Sequence, residues 1–300
     1  MKLTFYVADT ARMDTINKLF FAMAKGCSFT GDSCDMVSAL PQTHVEDSDM
    51  AVIIGVRADT RAIAHSYLSS GKHVLFIDKG YVRSRDSSEN SVFGLKHVKV
   101  SVDALHPTKY LMRERHSADR WEMIQHLNGL PDWPGWEGGG EDILVLGMSQ
   151  EFADFIELGD AFTCSKRIVL DAATKTTRTI VYRPKPSRYR TDCVPGFRCS
   201  VGPKDFVKEL NHSKVVVSYA SGGGINAVLA GVPVIELGRG CAEPVALGIS
   251  LDVLQKEPWE LPAKELVMQW CNNLAYSLWS LTEIAQGKMW QYVREKVLLC

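Results

Sequence analysis

The stretch KVVVSYASGGGINAVLAGVPVIELG, residues 214–238, constrains the fold more than any other part of the chain. An apolar run at 215–217 ends in Ser218, a Ser-Gly-Gly-Gly turn at 221–224 opens a short apolar stretch, and Gly231-Val232-Pro233-Val234 restarts an extended run. Strand, tight turn, helix and strand form the repeating unit of a parallel sheet, whose strands read as unbroken apolar runs because both faces are covered. Gly222, Gly224 and Ala227 also satisfy G-x-G-x-x-A, the pattern of a dinucleotide-binding turn. The unit is too short for that role: Val215 to Leu237 is 23 residues, where a dinucleotide unit takes about 30 and usually opens its domain. What survives is an anion-binding turn, glycine N–H groups at the positive end of a helix that suit phosphate. A tight strand-to-helix turn with no ligand is the alternative.

The same rhythm runs through the rest of the sequence. LTFYVA (3–8), MAVIIGV (50–56) and HVLFID (73–78) read as buried strands, with helical patterns through Ile16, Leu19, Phe20 and Met23 and through DTRAIAHSYLSSG. Asp9, Arg57, Asp59 and Asp78 stand at the carboxyl ends of these strands, where open α/β sheets collect their ligands. LNGLPDWPGWEGGGED is rich in Gly, Pro and acid and reads as a linker. The alternation then restarts with DILVLGM, QEFADFIELG, TRTIVYRPKPS and DFVKELNHS, ahead of the opening stretch. The fold class expected is α/β with two Rossmann-like domains: residues 1–130, a linker at 131–142, residues 143–262, and a helical segment 263–300. That last segment carries Trp270, Leu274, Trp279, Ile284 and Trp290 with a break near Gly287, and is expected to pack its aromatics into a core.

Of 300 residues 46% are hydrophobic, enough to bury a core without staples, and the formal charge is −1. The eight cysteines contain no CxxC and no zinc-like spacing with histidine, so they are expected to be reduced thiols of a cytoplasmic protein. The first apolar run is too short for a signal sequence and none approaches a membrane span, so no membrane partner is expected. Charge is uneven: Thr163–Lys208 holds eleven Lys/Arg against three acids, and Lys79–Arg120 nine against five. Basic segments of this kind suit a polyanion such as double-stranded DNA, or are ordinary solvated surface.

Several of these segments resemble known families. Two Rossmann-like halves, a linker, a C-terminal helix available to cross back, and a Gly-rich turn followed by Gly231-Val232-Pro233-Val234 resemble GT-B glycosyltransferases. DKGYVR (78–83), RIVLDAATKTTRTIVYRPKP (167–186), SGGGINAVLAGVPVI (221–235), GCAEPVA (240–246) and WCNNLAYSLWSLTEIAQGKMW (270–290) are similar to a group of phage and bacterial proteins of that architecture. Arg-Pro-Lys-Pro at 183–186 is similar to the R-x-H-P element of capsule-type transferases with cytidine-linked donors, with Lys185 where the histidine would be. Asn226 stands where many GT-B enzymes place a carboxylate, and an amide can bond a hydroxyl but cannot act as a base.

The resemblance implies a glycosyltransferase moving a sugar from a nucleotide-sugar co-substrate, a UDP-sugar as first expectation, with no other cofactor and no metal. Donor-binding candidates are Arg183, Lys185, Ser218, Ser221, Gly222, Gly223, Gly224, Asn226 and Glu243. Arg183 and Lys185 supply positive charge for the departing phosphate. Asp78 is the first candidate for the catalytic base and Asp9 the second, each also explicable as a capping carboxylate. The acceptor expected is a 5-hydroxymethylpyrimidine in phage DNA, met by segments 79–120 and 163–208 in the host cytoplasm. The alternatives are a saccharide-directed transferase, a sugar-nucleotide epimerase or hydrolase, and a non-catalytic nucleotide- or DNA-binding module.

Overall fold

The computed structural model describes residues 1–7, 13–38, 45–82, 86–88, 91–137, 139–185, 192–201 and 205–298. The chain divides into two compact units: Met1–Tyr110 with Asp119–Leu130 and Leu274–Cys300, and Pro131–Asn273 with Leu111–Ala118.

The first unit runs β1 (Lys2–Val7), α1 (Met13–Ser28), β2 (Ser33–Ser38), β3 (Met50–Ile54), α2 (Ala58–Ser69), β4 (His73–Lys79) and β5 (Val98–Val102), then the short helix α3 (Thr108–Leu111) at its boundary and α4 (Asp119–Asn128). β2, β1, β3 and β4 lie side by side in parallel, β5 adds antiparallel to β4, and β1 therefore pairs on both sides. Chain direction across the sheet reverses at β1, which places the switch crevice between the ends of β1 and β3. β5, with the sequence VKVSV, is fully buried, Lys99 included, although it lies inside the segment the charge count marks as basic.

The second unit runs β6 (Asp142–Leu146), α5 (Gln150–Phe155), α6 (Ala161–Lys175), β7 (Ile180–Arg183), β8 (Arg198–Cys199), α7 (Asp205–His212), β9 (Ser213–Ser218), α8 (Gly222–Leu229), β10 (Val234–Glu236) and α9 (Lys264–Leu274). Its sheet has the order β10-β9-β6-β7-β8 with every pair parallel. The chain starts at the centre in β6, builds outward through β7 and β8, and returns to the other side of β6 with β9. That reversal opens a crevice at the carboxyl ends of β6 and β9. The Pro- and Gly-rich stretch before β6 is packed rather than loose: Trp133 Nε1 donates to Val228 O at 2.7 Å and Trp136 Nε1 to Pro262 O at 2.7 Å.

The chain then rejoins the first unit through β11 (Leu278–Trp279), which adds antiparallel to β5, and the helices α10 (Leu281–Ala285) and α11 (Lys288–Tyr292). Gly287, with φ 77°, makes the break between the two helices. α1 turns Ile16, Leu19, Ala22 and Met23 inward at helical spacing, and Ile284, Met289 and Trp290 join the same core. Trp290 Nε1 donates to Asp32 Oδ2 at 2.8 Å, and Arg294 Nη1 reaches the same oxygen at 3.0 Å. α1 and α10 touch through Gly26, where an added Cβ would lie 2.3 Å from the Ile284 carbonyl oxygen. Gly26→Ala is therefore expected to lower stability by about 1–3 kcal/mol through overpacking. A shift of the urea midpoint to lower concentration checks it.

The expectation of eight reduced thiols is corrected at one pair. Cys193 and Cys199 form a disulfide, their Cα atoms 5.7 Å apart, within the span such a bond can close. The turn from Val194 to Phe197 and the pairing of Cys199 with Tyr182 bring them together, and spacing alone does not show this. Cys27, Cys34, Cys164, Cys241 and Cys271 are thiols outside any disulfide, and burial pushes Cys34 and Cys271 up to about 12, which suits packing rather than reaction.

Candidate functional site

At the carboxyl end of β9 the chain turns sharply. Ala220 has φ 46°, in the left-handed region that a residue with a Cβ rarely adopts. Ser221 then caps α8: Gly223 N–H donates to Ser221 Oγ at 3.2 Å and Gly224 N–H to Ser221 O at 2.9 Å. Two of the three glycine amides are thus engaged inside the turn. Gly222 stands apart, because a Cβ there would meet nothing within 4 Å, and this leaves open space at the first turn of the helix. Ser221 Oγ and the Gly222 amide mark where an anion can approach. Asn226 lies one turn further along the same helical face and is partly buried.

The other two glycines are there for close approach. A Cβ on Gly223 would lie 2.6 Å from Leu146 at the end of β6, and one on Gly224 2.9 Å from Ser218 Oγ. Gly147, just after β6, leaves room for Tyr182 and the backbone of Pro184 and Lys185. The turn, the end of β6 and the end of β7 therefore share one corner of the second unit.

Arg183 ends β7 in this corner. It is 6% exposed, its Nη1 donates to Ser200 Oγ at 2.8 Å, and its guanidinium lies 5.0 Å from the Phe206 ring centre. Phe206 in turn lies 3.4 Å from where a Gly223 Cβ would be. A permanently charged group is held, with little exposure, beside an anion-suited turn. Lys185 is exposed two residues on.

Beneath the turn lies a carboxylate that sequence reasoning passed over. Glu236 ends β10, is fully buried, accepts the Ala220 N–H at 2.6 Å and receives the Ser218 hydroxyl at 3.1 Å. Burial pushes it up to about 7, against the lowering effect of its hydrogen bonds, and the Glu243 carboxylate adds to the rise. Glu243 opens a short 3-10 turn in the following loop and is partly exposed.

With this geometry in view, the chain can be set beside solved structures. Thermosulfurimonas dismutans KpsC, a beta Kdo 2,7 transferase, matches with a TM-score of 0.55 at 14% identity over 97% of this chain and 99% of that one. The beta Kdo 2,4 transferase of the same organism's KpsC gives 0.49 at 13% identity over 89% of each chain. MurG from Acinetobacter baumannii gives 0.30 at 10% identity over 91% of this chain and 94% of that one. The chain has the GT-B fold. No protein-family model matches the sequence, and no curated protein matches it.

In this GT-B chain the candidate base Asp78 belongs to the first unit, at the end of β4. Asp78 Oδ1 accepts the Lys79 N–H at 2.7 Å and Oδ2 lies 3.8 Å from Lys99 Nζ. Lys99 donates to Leu105 O at 2.9 Å and sits 5.6 Å from the Tyr81 ring centre, and Tyr81 OH meets His106 Nδ1 at 2.8 Å. Asp9 lies outside the described residues. Among the described residues no group of three or more His, Cys, Asp or Glu is placed to hold a metal ion, and no helix is long and apolar enough to cross a membrane.

Among the described residues several cations of the basic segments are paired, while Arg83, Arg85, Arg188, Arg190 and Lys204 lie outside the described residues. Lys175 pairs with Asp252, Arg178 with Glu257 and Glu141, and Arg198 with Asp142 and Glu209, all carboxylates outside residues 163–208. In the other segment Lys99 is buried and Arg120 is paired with Glu283 while lying 4.1 Å from the Trp279 ring centre. At these described positions the charge count overstates the positive field at the surface.

Proposed function

We propose that the chain transfers a glycosyl group from a nucleotide-sugar donor to an acceptor hydroxyl, with the donor phosphate at Ser221 and Gly222. One observation carries this reading: a buried guanidinium, Arg183, and an open helix start, Gly222, share the carboxyl-end corner of a doubly wound sheet. In that reading Arg183 and Lys185 stabilise the leaving phosphate, while Ser218 supports the turn. Asn226 and Glu243 meet ribose or sugar hydroxyls, and Asp78, or Asp9, takes the acceptor proton. A UDP-sugar is the donor to try first.

The acceptor separates two forms of the proposal. A hydroxymethylpyrimidine in DNA draws its support from the basic segments, and the ion pairs of Lys175, Arg178 and Arg198 weaken that support. A saccharide hydroxyl needs no such field. Incubation with uridine- and cytidine-linked sugars, alone or with hydroxymethylpyrimidine DNA or an oligosaccharide, tests both. Nucleotide release that requires one acceptor identifies it. Release or isomerisation without acceptor, or binding with no turnover, would replace transfer by a hydrolase, an epimerase or a binding module. Asp78→Asn is expected to cut turnover by about 10²–10⁴-fold while leaving donor affinity intact. Unchanged turnover would remove Asp78 from the base role.

A further inference from the structure

We infer that Glu236 is a positioning residue whose buried carboxylate ties the turn 218–221 to the loop 238–243 and sets the shape that receives the donor phosphate. The inference rests on the donor site proposed above. Three hydrogen bonds connect the carboxylate to that site: Ser218 Oγ donates to Glu236 Oε2, Ser221 N–H donates to Ser218 Oγ at 3.2 Å, and Ser221 Oγ caps α8. A fourth, from the Ala220 N–H, fixes the one residue of the turn with a left-handed backbone.

The following loop closes on the same group. The Gly238 amide also bonds the carboxylate. A Cβ on Gly240 would lie 2.6 Å from Glu236 Oε2 and 2.8 Å from Ala220 Cα, so loop, carboxylate and turn are packed without room for a side chain. A buried strand end needs no carboxylate for packing, and burying one is costly unless it is well bonded. Here every bond it accepts comes from the turn 218–221 or from the loop packed against that turn.

Calorimetric titration with uridine diphosphate and, as a base-independent probe, inorganic pyrophosphate tests this on the wild-type protein, Glu236→Gln, Ser218→Ala and the double variant. A glutamine keeps the size but replaces one acceptor oxygen with an NH2 group, leaving a backbone donor unmatched. Glu236→Gln is expected to weaken binding about tenfold or more, and Ser218→Ala to weaken it less. The double variant is expected to be no worse than Glu236→Gln alone, because both changes break one chain of bonds. In turnover the donor KM is expected to rise by a similar factor with kcat at saturating donor within threefold, a split that a general loss of structure does not produce. Glu236→Gln binding within twofold of wild type, or strictly additive effects of the two changes, would overturn the positioning role. If Glu236→Gln does not fold, Ser218→Ala alone decides: affinity within a factor of 1.5 of wild type would overturn the role, and a larger loss with kcat retained would support it. Wild-type protein that binds neither probe would sink the donor-site reading itself.

Discussion

Arg183→Met is expected to lower turnover by about 10²–10³-fold, the usual cost of losing one preorganised charge at a reacting centre. Arg183 is buried, its guanidinium is oriented by Ser200 and lies over Phe206, and it ends the strand beside the turn. Methionine fills much of the same space, so the strand keeps its packing while the charge is lost. Arg183→Lys is expected to recover only part of the rate, because an ammonium lacks the planar fork that grips two phosphate oxygens. The measurement is kcat/KM for the donor with the melting temperature followed in parallel. A folded Arg183→Met with turnover within threefold of wild type would show that the guanidinium has no part in the chemistry.

Trp270→Ala is expected to destabilise the protein by about 3–5 kcal/mol, the range for removing a large buried aromatic. Trp270 is fully buried on α9, and its Nε1 donates to Cys241 O at 2.6 Å. Cys241 stands two residues before Glu243, so the indole also fixes the loop on which that carboxylate is carried. Trp270→Phe separates the two contributions: it keeps most of the packing and leaves the Cys241 carbonyl without that donor, at a cost of about 1–3 kcal/mol. Denaturant unfolding of both variants reads the difference. A loss below about 1 kcal/mol for Trp270→Ala would contradict the burial argument.

Both expectations depend on features that differ in how openly the sequence displays them. The strands β1, β3, β4, β6 and β9 are legible because central parallel strands are covered on both faces and need continuous apolar runs. β5 is not, because Lys99 and Ser101 interrupt its valines and only the tertiary structure shows that all five residues are buried. β2 buries only Cys34 at an edge and offers no period to read. α6 turns inward the small residues Ala161, Ser165 and Ala172 around Val169, too weak an apolar stripe to stand out.

At the site the glycine turn and the cationic strand end are visible as local motifs, and the structure sets them in one corner. Glu236 is invisible for the opposite reason. In VPVIELG it reads as the polar end of a strand, and what marks it as buried are Ser218, Ala220 and Gly240, none of them adjacent to it in sequence. The only local hint is a carboxylate enclosed in an apolar run and followed by two closely spaced glycines. The charge count misleads similarly at described positions, because Lys175, Arg178 and Arg198 each have a carboxylate partner beyond the counted segment.

A crystal structure of the protein with bound uridine diphosphate tests the donor assignment most directly. The expected result is a phosphate within hydrogen-bond distance of the Gly222 amide and Ser221 hydroxyl, with an oxygen in reach of Arg183. A nucleotide seated away from the carboxyl ends of β6, β7 and β9 would contradict it.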